Sequence, residues 1–474
     1  MTEDFLTHVN YLAETFLTHI GSSSEPVRIV ANIDADGLAS AAILAKAFTR
    51  HHITYTLSLE KQITDEVIKT LQHEPYSVVF FTDLGASHLQ RLHDSLEGQV
   101  FVLDHHPPDV EQKTLDHVHH LNPHSFGMDG TQTVAAAGVV YFFAKSLDER
   151  NVDLSPLALV GAIGDAQEDN GFTGLNKLIL DDAVDAELVD VKESLRLFGM
   201  QTKPLHKVLE CSTSPYIPGV TGNERAALQF IEDLGIPLYD NAQQFRKLMN
   251  LTKQELDKLA TAIEMNKSKG SPSTSLLGPV YLLKNEEESS LKKDLREFST
   301  LLNSCGRMGW PSLGIGVCFG DLKATKKASD ILKGYQKEIL DALNWFYNNR
   351  RSEKIIEKEG YVVLLAEHII RDTIIGTLAS LIARSNIYPD GTVILSSAYT
   401  LDGMIKISTR CCGKLPVGLD LREVVTSILV DTDGYGGGHK LAAGASIPQE
   451  NEEQFIRNAL AVLEDYVRKK PVHA

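Results

Sequence analysis

The 474-residue chain has only five cysteines, Cys211, Cys305, Cys318, Cys411 and Cys412, and none belongs to a Cys-x-x-Cys pair. That scarcity excludes a disulfide framework and a structural zinc site built on thiolates. No apolar run reaches the roughly 20 residues needed to cross a bilayer, so no membrane span is expected. The N-terminus carries acids at Glu3, Asp4 and Glu14 and has no basic stretch, unlike a secretory signal. These absences together predict a cytoplasmic protein. Positive charge is also in short supply: 46 Lys and Arg stand against 63 Asp and Glu, a formal charge of −17. Such a surface does not suit nonspecific binding of a duplex. It is compatible with a single-stranded nucleic acid in a groove, where a few basic and aromatic groups suffice.

What the chain does have is acid at the ends of apolar runs. Arg28-Ile29-Val30-Ala31-Asn32-Ile33 leads into Asp34 and Asp36, and Ser77-Val78-Val79-Phe80-Phe81-Thr82 leads into Asp83. Gln99-Val100-Phe101-Val102-Leu103 ends in Asp104-His105-His106, and the run from Leu157 to Gly164 ends in Asp165. Read as four strands of an open parallel sheet, these ends line one edge, where ligands bind. They would bring Asp34, Asp36, Asp83, His105, His106 and Asp165 to one pocket. Acids gathered in this way repel one another unless cations lie between them. Carboxylates with imidazole suit Mn²⁺, with Mg²⁺ the alternative. Two such ions roughly 3.5–4 Å apart can activate a water and clamp a phosphoryl oxygen. One Asp-x-Asp after a strand is more often a helix cap; four strand ends that each stop at a donor favour ligation. His117, His119, His120 and His124 have no strand context, and with the Asn122-Pro123 step they read as a polar loop.

The chain divides into three parts. Residues 1–195 form an α/β domain with a parallel, metal-binding sheet, opened by an amphipathic helix that aligns Phe5, Val9, Leu12, Phe16 and Ile20. Residues 196–355 are a mostly helical intervening region. Within it Thr252-Lys253-Gln254-Glu255 is a capping box, Lys269–Thr274 is a Ser/Gly/Pro-rich loop, and a long connecting helix runs from about Ala324 to Arg350. Residues 356–474 form a second α/β domain. There Gly436, Gly437 and Gly438 let backbone N–H groups approach an anion as a nest-like phosphate cradle, with His439 beside them, or else make a tight turn. Arg410 ends the run Met404–Arg410 and offers a second phosphate contact. If that run alternates, Lys406, Ser408 and Arg410 share one face, a solvated edge being the alternative. The acidic stretch Asp181–Asp190 reads as a solvated helix face or a partner surface. Trp310, Tyr335, Trp345 and Tyr347 are either stacking platforms for bases or core.

Taken together, Asn32–Gly37, Thr82–Gly85, Asp104–His106 and Gly164-Asp165 resemble, in order, the four motifs of the DHH phosphoesterase superfamily, and Gly436–Gly444 resembles the signature of its associated DHHA1 domain. The resemblance implies that Asp83 bridges two divalent cations, that Asp34 holds one, and that Asp36, His105 and Asp165 hold the other. It also implies that His106 touches the substrate phosphate or orients the attacking water, with Asp104 behind it fixing an imidazole tautomer. Val30 stands where the manganese pyrophosphatases and the short oligonucleotide-degrading members carry a His, a departure shared with RecJ-type nucleases. Asn303-Ser304-Cys305-Gly306-Arg307 resembles the Asn-x-x-Gly-Arg element of those nucleases, so Arg307 would grip a phosphate with its planar fork. About 150 intervening residues, and too little chain after Gly444 for an OB-fold, resemble the archaeal GINS-associated form. The implied activity is a single-strand-specific exonuclease of DNA or RNA in replication or repair, releasing mononucleotides. Its implied partners are single-stranded nucleic acid and a GINS or replicative helicase complex. Two other readings stay open: a small-substrate phosphodiesterase of dinucleotides or nanoRNA, and a replisome scaffold like the eukaryotic helicase subunit descended from this family.

Overall fold

The computed structural model describes residues 1–21, 25–109, 115–169, 171–212, 215, 217–266, 276–385, 387–416, 418–440 and 442–469. In chain order the elements begin with α1 (Thr2–Ile20), β1 (Val27–Asn32), α2 (Ala35–Arg50), β2 (Tyr55–Glu60), α3 (Asp65–His73), β3 (Val78–Thr82), α4 (Leu89–Ser95), β4 (Gln99–Leu103) and β5 (Val118–Leu121). Next come α5 (Ala136–Leu147), α6 (Ser155–Gly164), α7 (Gly174–Asp185), β6 (Val189–Leu195), α8 (Leu205–Glu210), α9 (Glu224–Asp233) and α10 (Lys253–Asn266). After these come β7 (Leu277–Leu283), α11 (Leu295–Arg307), α12 (Pro311–Cys318) and α13 (Leu322–Asn349). The last elements are β8 (Ile355–Lys358), β9 (Tyr361–Leu365), α14 (Asp372–Arg384), β10 (Val393–Tyr399), β11 (Met404–Cys411), α15 (Leu421–Ile428), β12 (Tyr435–His439), β13 (Ala442–Pro448) and α16 (Glu452–Lys469).

Packing divides the chain into two units, Met1–Arg196 with Leu277–Lys333, and Leu197–Leu276 with Gly334–Ala474. The intervening residues 196–355 are shared between these units. The reason lies in pairing: β7 runs antiparallel to β6 from Val189↔Leu283 to Leu195↔Leu277, which fastens residues 277–333 to the first unit.

The first unit holds five parallel strands in the order β2-β1-β3-β4-β5. Strands β1, β3 and β4 are buried almost throughout, as parallel strands covered on both faces must be, which is why they read as unbroken apolar runs. On one face, Phe16 of α1 meets Phe48 of α2, Phe80 of β3, Phe101 of β4 and Phe143 of α5, with ring centroids 5.1–5.9 Å apart. On the other, Ile68 and Leu71 of α3 and Leu89 and Leu92 of α4 pack on Val30, Val79, Phe81, Val100 and Val102. Helix α1 buries Phe5, Val9, Leu12 and Phe16 as its spacing predicts, and Ile20 at its end is half-buried.

Three expectations are corrected here. The run before Asp165 is not a strand but the helix α6, with Asp165 as its C-cap. A short all-apolar run has no period to separate a buried helix from a buried strand. Pro156 in the first turn, and the small Ala158, Gly161 and Ala162 packed among helices, favour the helix. The histidine-rich segment is likewise not a loop: Val118-His119-His120-Leu121 is β5, with His120 buried and His119 stacked on Phe101 at 4.6 Å. A flat imidazole packs on a sheet as an aromatic ring does, a use the polar count hides. The acidic stretch Asp181–Asp190 is not one helix face either, because α7 ends at Asp185 and β6 begins at Val189. Asp182 is tied to Tyr141 Oη and Lys145 Nζ at 2.7–2.9 Å.

The second unit holds a six-stranded mixed sheet in the order β12-β13-β11-β10-β9-β8, of which only β9 and β10 are parallel. Tyr361, Leu395, Ile407 and Ile447 from its strands, Leu421 and Val425 of α15, and Phe455 and Leu463 of α16 share one core. Helix α13 runs close to its expected bounds. The capping box forms, with Thr252 N donating to Glu255 Oε2 at 2.7 Å and Glu255 N to Thr252 Oγ1 at 3.3 Å. The loop expected at Lys269–Thr274 lies outside the described residues. Replacing Phe16 by Ala should cost about 3–5 kcal/mol, as truncating a fully buried ring commonly does. Denaturant unfolding of the variant checks this; an unchanged midpoint would contradict the role given to α1.

Candidate metal centre

The parallel register places the ends of β1, β3 and β4 side by side, so the first residues after each strand meet those after its neighbours. Asp34 is the N-cap of α2, accepting from Gly37 N at 3.0 Å. Asp36, two residues on, caps a different helix: its two oxygens accept from Ala136 N and Ala137 N of α5 at 2.7 and 2.8 Å, and α5 has no side-chain cap of its own. Asp83 sits just past β3 with φ 57, a left-handed conformation that Asp tolerates better than most residues and that turns the carboxylate back over the sheet edge. After β4, Asp104 accepts from Ala86 N, His105 N, His106 N and His106 Nδ1 at 2.7–3.2 Å. Its lone pairs are thereby taken, and it holds His106 rather than facing the pocket.

The two histidines divide their nitrogens. His105 Nδ1 donates to the carbonyl of Gly130 at 2.8 Å, which leaves Nε2 as the unprotonated nitrogen. That Nε2 lies 3.1 Å from Asp165 Oδ2, 3.6 Å from Asp83 Oδ1 and 3.9 Å from Asp36 Oδ2. It is buried and makes no hydrogen bond there. With the proton on Nδ1, an Nε2 lone pair among three carboxylates is placed as a metal ligand would be; without a cation, protons on the ring or on the acids hold the cluster together. Two sets of donor atoms close enough to share an ion are present, Asp36, His105 and Asp165, and Asp83, Asp104, His105 and His106. Asp34 belongs to neither set, but Asp83 is near enough for each carboxyl to shift the other's pKa. The residues therefore fit divalent metal.

The electrostatics agree. Burial first, and then the charge of Asp165, push the Asp34 and Asp36 carboxyls up, Asp36 to about 7. Burial, Asp34 and Asp36 raise Asp83 well above the usual carboxylate range. Burial opposes charge on both histidines, yet Asp165 and Asp83 raise His105 and Asp104 raises His106. Asp104 goes the other way: against its burial, His106 and the backbone donors hold it well below the carboxylate range.

Helix α11 completes the pocket wall. Asn303 Oδ1 accepts from Ala35 N at 3.0 Å, gripping the loop between Asp34 and Asp36. A β-carbon on Gly306 would stand 1.9 Å from the carbonyl oxygen of Ile33, so no other residue allows α11 to lie this close. Gly161 of α6 is similarly constrained, a β-carbon there falling 2.4 Å from Asp36 Oδ1. Arg307 comes directly after Gly306, half-buried, and its charge lowers the Asp34 pKa against the burial that raises it. Trp310, three residues further, is exposed.

The other expected substrate groups lie in the second unit. Gly436, Gly437, Gly438 and His439 form neither nest nor turn: they are the extended edge strand β12, paired only with β13. Gly438 has φ 135, and a side chain on Gly437 would meet nothing, so the strand presents bare backbone. The side chain of His439 lies outside the described residues. Arg410 is on β11, which lies inside the sheet between β10 and β13 rather than at a solvated edge. Its Nε donates to Ser380 Oγ of α14 at 2.8 Å and its Nη1 to Thr409 O at 2.7 Å. Tyr335 is core, Trp345 half-buried, and Tyr347 exposed.

Family models match in three places: the DHH family N-terminal domain over residues 26–164, the DHH-CID domain over 197–276 and the DHHA1 domain over 358–469. The chain carries DHH, DHH-CID and DHHA1 domains. An uncharacterized protein of Methanocaldococcus jannaschii is 29% identical over 464 residues, covering 97% of each chain. Among solved structures, CDC45 from Entamoeba histolytica covers 97% of this chain and 99% of its own at TM-score 0.67 and 13% identity. RecJ from Thermus thermophilus in complex with Mn²⁺ matches 98% of this chain at TM-score 0.59 and 16% identity, the chain spanning 55% of that protein. An exonuclease RecJ bound to manganese matches at TM-score 0.56 and 16% identity, with 98% and 95% covered. At these identities the likeness is one of fold. The DHH model spans the first three motifs and ends at Gly164; the DHH-CID segment is the first stretch of the second unit.

Raised carboxyl pKa values fix a sign. Asp34, Asp36 and Asp83 favour the neutral form when folded, so the metal-free protein loses their contribution as pH rises from about 4 towards about 7. A bound cation reverses this by favouring the charged form. Mn²⁺ at a hundredfold excess over its Kd should add about 2.7 kcal/mol, or about 5–10 °C in Tm, relative to EDTA. The increment should be larger at about pH 7.5 than at about pH 5.5, where protons compete for the carboxylates. Thermal unfolding in the four conditions checks this, and equal Tm values with Mn²⁺ and EDTA at the higher pH would rule out ligation here.

Proposed function

We propose that this protein is a metal-dependent, single-strand-specific exonuclease that hydrolyses phosphodiester bonds of DNA or RNA to mononucleotides. The observation that carries the reading is the convergence on buried His105 Nε2 of Asp165, Asp83 and Asp36, at 3.1, 3.6 and 3.9 Å. Two divalent cations, Mn²⁺ before Mg²⁺, would supply Lewis-acid polarisation of the phosphate and an activated water when bound. Asp34, Asp36, Asp83, His105 and Asp165 are the groups to hold them, with Asp83 central because it reaches both Asp34 and His105. His106 has a different task. Its side chain is 37% exposed where that of His105 is 4%, and Asp104 favours its charged form. A cationic imidazole at the pocket mouth donates to a substrate phosphate oxygen and orients it for in-line attack.

Arg307, within electrostatic reach of Asp34, supplies a planar fork for the same or the next phosphate. In the second unit, Gly436, Gly437, Gly438 and His439 are assigned to a further substrate phosphate, which the bare edge backbone can approach closely. Arg410 is assigned there too, held ready by Ser380. A net charge of −17 makes binding outside these groups weak, consistent with specificity for one strand. The end-to-end likeness to CDC45 favours a second reading, a replisome scaffold that binds a GINS complex. The complete donor set argues that scaffolding, if present, accompanies catalysis.

The test is hydrolysis of a long single-stranded DNA and its RNA twin, labelled at either end, with Mn²⁺ or with EDTA. Stepwise, metal-dependent release of mononucleotides is expected. Cleavage of a dinucleotide instead would move the protein to the small-substrate phosphodiesterases. Silence on all substrates, together with capture of a purified GINS complex, would make it a scaffold. Asp83→Asn, which keeps a residue type at ease with positive φ, should lower the rate by at least roughly 10²–10³-fold with the fold retained by circular dichroism. Near-normal turnover would sink the central role of Asp83.

A further inference from the structure

Behind the metal centre lies a chain of buried amides that the proposed chemistry does not use. The carbonyl of Gly130, which accepts from His105 Nδ1 at 2.8 Å, accepts a second bond from Gln167 Nε2 at 2.9 Å. Gln167 Oε1 in turn accepts from Asn176 Nδ2 at 2.7 Å. The direction of every bond is forced. A carbonyl can only accept, so Gln167 must turn its NH₂ towards Gly130, and its oxygen is then left for Asn176. Gln167 is 7% exposed and Asn176 is fully buried, so both amides are withdrawn from bulk solvent.

The surrounding backbone holds this chain still. Asn176 N, in the first turn of α7, donates to Thr133 O at 2.9 Å, pinning the far end of the loop that carries Gly130. Gln167 N donates to Ala162 O of α6 at 2.9 Å. Gln167 also lies two residues after Asp165, across the left-handed Ala166 at φ 57. One short turn therefore delivers both a carboxylate to the Nε2 side of His105 and an amide to the support of its Nδ1 side.

We infer that Gln167, anchored by Asn176, is a positioning residue that fixes the tautomer and aim of His105 by holding the Gly130 carbonyl. The inference rests on the reading of His105 as a metal ligand. An imidazole ligates through Nε2 only while the proton stays on Nδ1, and the partner of Nδ1 decides both that and the ring's direction. With Gln167 gone, the Gly130 carbonyl would be held only by the backbone of its own loop and by His105. The competing account is a buried amide that merely fills space, and it predicts a loss of stability without a loss of metal affinity.

The experiment compares the full-length protein with Gln167→Met and with the double variant Gln167→Met/Asn176→Leu. The double variant removes both amides together, so that no polar group is stranded if the single variant folds poorly. Mn²⁺ affinity is read from the free-ion EPR signal, metal-free Tm from thermal unfolding, and the His105 tautomer from the ¹⁵N shifts of its ring with diamagnetic Mg²⁺ added. The expected result is about a 10–100-fold rise in the Mn²⁺ Kd, with the His105 nitrogen shifts moving towards averaged tautomers. Unchanged Mn²⁺ affinity and unchanged nitrogen shifts in a folded variant would overturn the inference, whatever happened to Tm. His105→Ala is measured alongside: if it binds Mn²⁺ like the parent, the ligand reading of His105 has failed, a result separable from any effect of Gln167.

Discussion

Mutual repulsion among buried carboxylates is the constraint around which the first unit is built. Two like charges at 4 Å cost about 4 kcal/mol at an effective dielectric of about 20, a large part of the roughly 5–15 kcal/mol by which a domain is typically stable. Asp34, Asp36, Asp83 and Asp165 oppose one another's charge in this way. Backbone donors offset part of the cost: Gly37 for Asp34, and Ala136 and Ala137 for Asp36. Asp104 is satisfied completely and so can stay charged, whereas Asp83 sits beside two acids and an imidazole lone pair. The remainder falls to cations or to protons, and that choice couples the fold to metal and to pH.

Such a pocket needs walls that come closer than ordinary side chains permit. Gly161 brings α6 against Asp36, and Gly306 brings α11 against the loop after β1. Asn303 then bonds Ala35 N from 268 positions away. The buried Glu168, bonded to Arg296 and 3.7 Å from Arg196, links the turn after Asp165 to α11 and β6. These contacts explain why residues 277–333 pack with the first unit although some 80 residues, 197–276, intervene.

A fold shared with both RecJ and CDC45 does not by itself distinguish a nuclease from a scaffold, because function resides in the donors that a fold presents. Here those donors are one imidazole held at Nδ1 by Gly130, a neighbour turned outward, and acids kept close to neutral by burial. The second unit presents a different surface, a bare glycine edge and an arginine tethered by a serine. That surface suits an anion, and it has no metal-type chemistry among the described residues.

The strand ends carrying Asp34, Asp36, Asp83, His105 and His106 were legible because a buried parallel strand must be apolar and must stop where polar groups begin. The amphipathic α1 and the capping box at Thr252 were legible for the same reason: their signals are local and periodic. Asp165 was found through an argument about a strand that is in fact a helix, since an apolar run without a period leaves the two indistinguishable. The β-strand through His119 and His120 was hidden because imidazole counts as polar by composition yet packs as a ring. Nothing in the sequence marked the Gly130 carbonyl, the amides of Gln167 and Asn176, or the use of Asp36 to cap α5. The bonds from Gly130 to Gln167 and from Asp36 to α5 join segments 37 and 100 residues apart, and no local pattern encodes them. Sequence alone thus determined which donors exist and that all but Asp165 follow the strands of one sheet. Only tertiary packing decided which nitrogen of His105 faces the pocket, which acid is already satisfied and which helix closes the wall, because direction and proximity are properties of space rather than of order along the chain.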